Sequence, residues 1–359
     1  RDRPAEGTLH DLWAKALVLE DKKGEQVLLL TMDLLGLPKG ISDRLRDQLE
    51  AKFGFSRAQV LLNSSHTHSG PVLTAALSDI YPLDGDQLEK IARYSAQLEE
   101  QLAALVAEAL RSMKPVRLYA YNGVTRFQVN RRNNNAAALH LLTELKGPND
   151  YAVPVIKVED AGGKVLAVAF GYACHPTVLD GYQWSGDYAG FAQIELEKMY
   201  PGSTALFFQG AGADQNPLPR HSVALAKQYG LTLAAAVNRV LNEEMRPLPP
   251  GISTAYTEVD LPLAAPPTEA DLSEMAAEFT GYQKRWALRM LDSLKEGKSL
   301  RTSYPYPLQA WMLGDQPLLS LGGELVIDYA IELKRVFGPE LFVMGYSNDV
   351  MAYIPSVRI

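Results

Sequence analysis

The chain places its densest chemistry in residues 63–71, Asn63-Ser-Ser-His66-Thr-His68-Ser-Gly-Pro71, directly after the apolar run Val60-Leu61-Leu62. A strand running into a polar loop is the reading this pattern gives. If the backbone is still extended there, a period of two puts His66 and His68 on one face, where both imidazoles reach one metal or one substrate. Two loop histidines hydrogen-bonded to backbone fit the same pattern, so the rest of the chain has to decide.

Four further loops follow apolar strands and carry groups suited to metal or proton chemistry. They are His175-Pro176, the stretch from Gly210 to Pro217, Gly322-Gly323-Glu324, and the stretch from Tyr346 to Tyr353. In open α/β sheets ligands bind outside strand ends, where loops present side chains over a rigid base. A catalytic zinc takes three protein ligands and keeps a position for water; His66, His68, His175 and Glu324 are available, whereas the single cysteine, Cys174, excludes a Cys-rich site. Ligands gathered from distant strand ends have no diagnostic spacing. His10, His140 and His221 lie outside these loops and read as surface or packing residues. The stretch Asn130-Arg131-Arg132-Asn133-Asn134-Asn135 is either a solvated loop or a guanidinium and amide set suited to an anionic or carbonyl-bearing substrate. Gly210-Ala211-Gly212 lacks the full dinucleotide spacing and runs into Asn216-Pro217, which argues against a nucleotide loop.

The elements that must carry these loops alternate between strand and helix. Residues 12–19 and 26–32 read as a hairpin around Asp21-Lys22-Lys23-Gly24, followed by a helix with apolar spacing Ile41, Leu45, Leu49, Phe53. A helix over 88–110 and a strand over 116–121 follow. Strands 153–158 and 165–172 form a second strand-turn-strand unit, then come a helix over 191–199, a strand over 204–208 and a helix over 223–241. Pro-rich punctuation at 245–251 and 264–267 brackets one strand and leads into one long charged helix over 269–294, whose Met275, Phe279, Trp286 and Met290 read as a packing stripe. Strand patterns return at 308–312 and 318–321, then a helix over 325–336 and a last strand over 341–344. The expected fold is α/β, a mixed twisted β-sheet flanked by helices with the active site at strand C-terminal ends.

With 47% hydrophobic and 21% charged residues, the 359-residue chain has the composition of a globular protein with a sizeable core. Its 35 basic and 42 acidic residues give a formal charge of -7, which argues against nucleic acid or an anionic lipid surface as a general partner. No apolar segment approaches a membrane span. The opening Arg1-Asp2-Arg3-Pro4 has neither Met nor a signal pattern.

Taken in order, His66-Thr67-His68-Ser69-Gly70-Pro71, Asn130-Arg131, His175-Pro176, Ser185-Gly186-Asp187, Asp214-x-x-Pro217, Gly323-Glu324 and Ser347-Asn348 with Tyr353 resemble the blocks of the neutral, or non-lysosomal, ceramidases, whose zinc-dependent catalytic domain carries a His-Thr-His-Ser-Gly-Pro loop. The resemblance implies zinc as cofactor, with His66, His175, Glu324 and Tyr353 as ligands, His68 behind the ligands or facing the substrate, and Arg131 as an active-site arginine. It also implies one catalytic domain over 1–359 with a helical excursion at about 264–302, lacking the family's C-terminal immunoglobulin-like β-sandwich, and a soluble protein that is secreted or periplasmic.

One departure bears on mechanism. Where the family has Gly-Asp-Val-Ser-Pro this chain has Ala213-Asp214-Gln215-Asn216-Pro217, so Asn216 stands in place of the serine implicated in catalysis. An amide is not a nucleophile, but it orients water or donates to a developing oxyanion. The expected nucleophile is therefore zinc-activated water, with His68 or Asp214 moving protons. Tyr353 is an uncommon zinc ligand whose hydroxyl serves equally to stabilise a transition state. The expected activity is hydrolysis of an N-acyl amide, ceramide-like or otherwise N-acylated, in a small-molecule or lipid substrate. The alternatives are a zinc hydrolase of an ester or glycosidic bond and a ligand-binding homologue without catalysis.

Overall fold

The computed structural model describes residues 3–359, so Arg1 and Asp2 of the opening lie outside it. Its strands form mixed sheets. In a three-stranded sheet Ala14–Glu20 runs antiparallel to Gln26–Met32, which runs parallel to Val60–Ser64. A five-stranded sheet has the order Thr204–Gln209, Val165–Tyr172, Ala152–Asp160, Val116–Val124, Arg246–Pro247, and a four-stranded sheet the order Ile252–Pro262, Ser303–Leu313, Gln316–Leu321, Phe342–Met344.

The continuous apolar runs of these strands are explained by what covers their two faces. Leu28, Leu30, Val60 and Leu62 pack in one cluster with Ile41, Leu45 and Leu49 of helix α1 (Lys39–Phe53) and with Leu98, Leu102 and Val106 of α2 (Gly85–Arg111). The alternate residues Leu29 and Leu61 enter a second cluster shared with Ala169, Phe208, Trp311, Leu318 and Phe342 of the other two sheets. A strand buried on both faces has no polar face to show, so its sequence reads as an unbroken run. The five-stranded sheet turns Val155, Val168, Phe170 and Phe207 to a third cluster, closed by Tyr188, Ala192 and Leu196 of α3 (Asp187–Met199) and Leu233, Val237 and Val240 of α4 (Val223–Leu241).

The long helix expected over 269–294 is two helices, α5 (Glu269–Glu278) and α6 (Gly281–Lys295). Phe279 and Thr280 are extended between them, at φ -86 and -125, and Gly281 takes φ 62. β-branched threonine followed by glycine is a poor place to continue a helix and a good place to begin one. The two helices pack on each other through Leu272, Ala276, Ala287 and Leu291, flanked by Met275, Trp286 and Met290. Phe279 does not join that stripe and is 38% exposed. Arg285 and Arg289 of α6 bond to Asp79 and to the Ile80 carbonyl, fastening this helical pair to the segment after the histidine loop. Helix α7 (Ile327–Phe337) follows the Gly322-Gly323-Glu324 turn. The strand over 341–344 is not the last: Tyr353–Ile354 pairs in parallel with Glu324–Leu325.

Strand ends from all three larger sheets meet at Asn63, which is fully buried. Its side-chain nitrogen donates to the Gly345 carbonyl at 2.8 Å and to Ser347 Oγ at 3.1 Å, and its oxygen accepts the Gln209 amide at 2.8 Å. One amide thus fixes where the loops that follow Ser64, Gln209 and Met344 start.

Candidate metal centre

The histidine loop leaves its strand by a turn. The strand ends at Ser64, and His66 sits at φ 65, in the left-handed region, with its amide donating to the Leu34 carbonyl at 2.9 Å. The backbone is therefore not extended through the loop, and the period-of-two argument for His66 and His68 does not hold. The two imidazoles still meet, edge to face at 4.9 Å, with Nε2 atoms 3.3 Å apart, but His66 is buried and His68 is exposed. Ser185 braces the loop: Thr67 Oγ1 donates to the Ser185 carbonyl at 2.6 Å and the Ser185 amide to the Ser69 carbonyl at 3.1 Å. Beside it, Asp187 accepts the Leu179 amide at 2.9 Å. The Ser185-Gly186-Asp187 block thus holds the histidine loop from behind.

His175 follows Val165–Tyr172 and is fully buried. Its amide donates to the Gln215 carbonyl at 2.9 Å and its Nδ1 to the Gly212 carbonyl at 2.7 Å. His66 Nδ1 makes the equivalent bond to the Leu35 carbonyl at 2.5 Å. A carbonyl oxygen only accepts, so both Nδ1 atoms carry hydrogen, and in the neutral rings both Nε2 atoms present lone pairs. Those lone pairs converge on Glu324 Oε2, 3.2 Å from His66 and 3.3 Å from His175. Neither His175 Nε2 nor Glu324 Oε2 has a hydrogen-bond partner. Burial pulls the His175 pKa down to about 4, which keeps its ring neutral.

Three acceptors turned on one another repel unless a cation sits among them. Their spacing suits one. Ligands about 2.0–2.1 Å from a tetrahedral zinc are about 3.3 Å from each other, which matches the two separations to Glu324. His68 supplies a third imidazole, and the ring nitrogens of His66, His68 and His175 lie within 4.8 Å of one another. Two or three imidazoles and a carboxylate suit zinc or a similar borderline cation.

Glu324 reaches this point because its short strand lies beside Tyr353–Ile354, and that pairing needs Gly323, which sits at φ 69 where an added Cβ would lie 2.8 Å from the Ala352 carbonyl. The pairing also brings Tyr353 to the centre. Its ring lies parallel to that of His175, 6.5 Å away, and its hydroxyl accepts from Arg131 Nη2 at 3.0 Å. Tyr353 is 43% exposed. Arg131 Nη2 also donates to the Ala213 carbonyl at 2.6 Å, while its Nε is buried without a partner. Asn216 pairs across to Val129 and is buried, its side-chain oxygen unpartnered. A small cleft beside His68 is lined by Leu35, Pro71, Val72, Leu73, Ala76 and Tyr81.

Asp214 does not suit the proton-moving role considered from the sequence. Its Oδ1 accepts from the Ile327 amide at 2.9 Å and Gln215 Nε2 at 3.3 Å, and its Oδ2 from Asn130 Nδ2 at 2.9 Å and Arg358 Nη2 at 2.6 Å. With both oxygens engaged by protein donors, it ties the Asn216 segment to the start of α7. Arg358, which also bonds Asp328, was missed because a lone arginine near the end of a sequence carries no local signal. Tyr346 was missed as an individual residue. It is fully buried, its ring is 4.4 Å from that of His66, and only its place after a strand pointed to it. Asp33, buried and with its carboxyl pKa raised by that burial, accepts the Trp13 amide behind the same loop.

Comparison with known proteins bears on this arrangement. Residues 1–217 match the family model described as neutral/alkaline non-lysosomal ceramidase, N-terminal. Neutral ceramidase A of Dictyostelium discoideum is 25% identical over 206 residues, covering 54% of this chain and 28% of the relative, and neutral ceramidase B of the same organism is 25% identical over 202 residues, covering 53% and 27%. The matches thus span under a third of those relatives' length. The crystal structure of neutral ceramidase from Pseudomonas aeruginosa superposes with a TM-score of 0.70 over 98% of this chain and 64% of that one, at 18% identity. A ceramidase complexed with C2 gives 0.71 over 99% and 65%, also at 18%. At that identity the superpositions show a shared fold.

Proposed function

The chain belongs to the neutral/alkaline non-lysosomal ceramidase family, and from that premise we propose that it is a zinc-dependent hydrolase of an N-acyl amide, ceramide-like or otherwise N-acylated. The observation that carries the reading is the convergence of His66 Nε2, His175 Nε2 and Glu324 Oε2, the last two without a hydrogen-bond partner. These three would hold the zinc, with Tyr353 completing the set. Zinc bound there would lower the pKa of a water to about 7 and polarise a carbonyl.

The chain's own residues supply the remaining chemistry. The Leu35 and Gly212 carbonyls fix the tautomers of His66 and His175, so their lone pairs stay turned inward. His68, exposed and 3.3 Å from His66, is positioned to take a proton from the attacking water and return it to the leaving nitrogen as the carbon–nitrogen bond breaks. Arg131 orients the Tyr353 hydroxyl at the edge of the centre. Asn216, in the place of the family's serine, has no nucleophilic oxygen; its side-chain amide donates to the substrate carbonyl or orients the water. The small cleft beside His68, where Pro71, Val72 and Leu73 stand next to Thr67, lies where a group flanking the scissile bond would sit. Among the described residues no helix is long and apolar enough to cross a membrane.

The test is a substrate panel of ceramides, short N-acyl amines, esters and N-acyl sugars, each assayed with zinc and after chelation. Zinc-restored release of carboxylate from the amides is expected. Turnover confined to esters or glycosides would move the activity to another bond, and tight binding without turnover at saturating zinc would make the protein a ligand-binding homologue.

A further inference from the structure

Tyr346 bears two structural costs with no structural return. Its backbone sits at φ 51, a region that a bulky side chain seldom adopts. Its hydroxyl is buried without a hydrogen-bond partner, although the ring is fully enclosed and phenylalanine would fill the same space. The backbone is held in place by the Tyr346 amide, which donates to the Gly323 carbonyl at 2.9 Å, directly before Glu324. The ring is 4.4 Å from that of His66 and stands edge-on to His175 at 6.1 Å. The groups that act electrostatically on the phenol include Glu324, Tyr353 and Arg131 of the centre described above. A phenol carries its proton at neutral pH, so the oxygen is a donor.

Strain and an orphaned buried hydroxyl at one residue point to a group reserved for something that arrives later. We propose that the Tyr346 hydroxyl donates a hydrogen bond to the substrate carbonyl oxygen as that oxygen becomes negative. The proton stays on the phenol throughout, so the step needs no co-reactant. The identity of the carbonyl as an amide rests on the function proposed above, whereas the oxyanion contact rests on the geometry alone.

Tyr346→Phe removes one oxygen and keeps the ring, and the full-length, zinc-loaded protein is the material to use. Loss of one preorganised donor costs about 10²–10³-fold in turnover, so kcat on an N-acyl amide is expected to fall by about that factor with KM changed by less than about threefold. Zinc content is expected to stay stoichiometric and Tm to hold or rise, because an unsatisfied buried hydroxyl is removed. Affinity for acetohydroxamate, measured by calorimetry as an oxyanion probe independent of the scissile bond, is expected to drop at least tenfold. Unchanged kcat and acetohydroxamate affinity would overturn the proposal, as would joint loss of fold and zinc, which would make the hydroxyl structural. If the parent protein does not hydrolyse amides but the variant still loses acetohydroxamate affinity, the amide reading fails and the role of Tyr346 stands.

Discussion

Two carboxylates lie within this group of strand ends, and the fold treats them in opposite ways. Asp214 accepts four hydrogen bonds, two on each oxygen, from Ile327, Gln215, Asn130 and Arg358. Glu324 presents Oε2 to two imidazole nitrogens and receives no hydrogen bond on it. Buried polar atoms are normally satisfied from within, because leaving them bare costs free energy comparable to a lost hydrogen bond. A carboxylate satisfied by its own chain belongs to the framework, and one left facing lone pairs is built for a cation from outside. The contrast separates what holds the crevice together from what the crevice holds.

The largest test of that contrast is Glu324→Gln. The carboxamide keeps the shape but removes the charge and brings an N–H into the set of acceptors. Stoichiometric zinc should be lost and turnover should fall on the order of 10³-fold or more, measured by elemental analysis and product release; retained zinc would break the distinction. His68→Gln should leave zinc in place and lower kcat by about 10²-fold or more, as for removal of a proton carrier; a loss of zinc equal to that in Glu324→Gln would move His68 among the ligands.

The next effect is on stability. His175 has a folded pKa of about 4 because it is buried, against about 6.5 for an unfolded histidine. Between those values the unfolded chain binds a proton that the folded chain does not, so stability of the zinc-free protein falls as pH drops from about 6.5 toward 4. The loss is on the order of 3 kcal/mol and should flatten in His175→Gln. Urea titrations of the zinc-free protein across this range read that window, and a pH-independent midpoint would contradict the neutral, inward-facing His175. The smallest effect belongs to the framework side. Arg358→Gln removes one of four donors from Asp214 and should cost about 1–3 kcal/mol without changing zinc stoichiometry.

Much of this contrast was legible in the sequence, and the reasons differ by residue. Strands whose faces are both committed to the core, such as 60–62, announce themselves through apolar runs, and half-buried helices such as 223–241 through apolar spacing. Glu324 and His175 were found because each ends such a strand. His66 and His68 were expected together for a reason the backbone does not supply, since a left-handed turn at His66 replaces the extended geometry and buries one ring while exposing the other. The break between α5 and α6 lay in the Thr280-Gly281 pair, a local signal that the apolar stripe around it masked. Tyr346 and Arg358 could not be singled out, because their roles depend on partners far away in sequence: Tyr346 has its ring against His66, and Arg358 is bonded to Asp214 and Asp328. Asp214 was legible as a motif residue, but its engagement by four donors was not.

The central claim is that His66, His175 and Glu324 form a cation site. Anomalous diffraction at the zinc edge on crystals of the zinc-loaded protein tests it most directly. The account predicts one peak within about 2.0–2.2 Å of His66 Nε2, His175 Nε2 and a Glu324 oxygen. No peak there, under conditions where the protein is active, would contradict it.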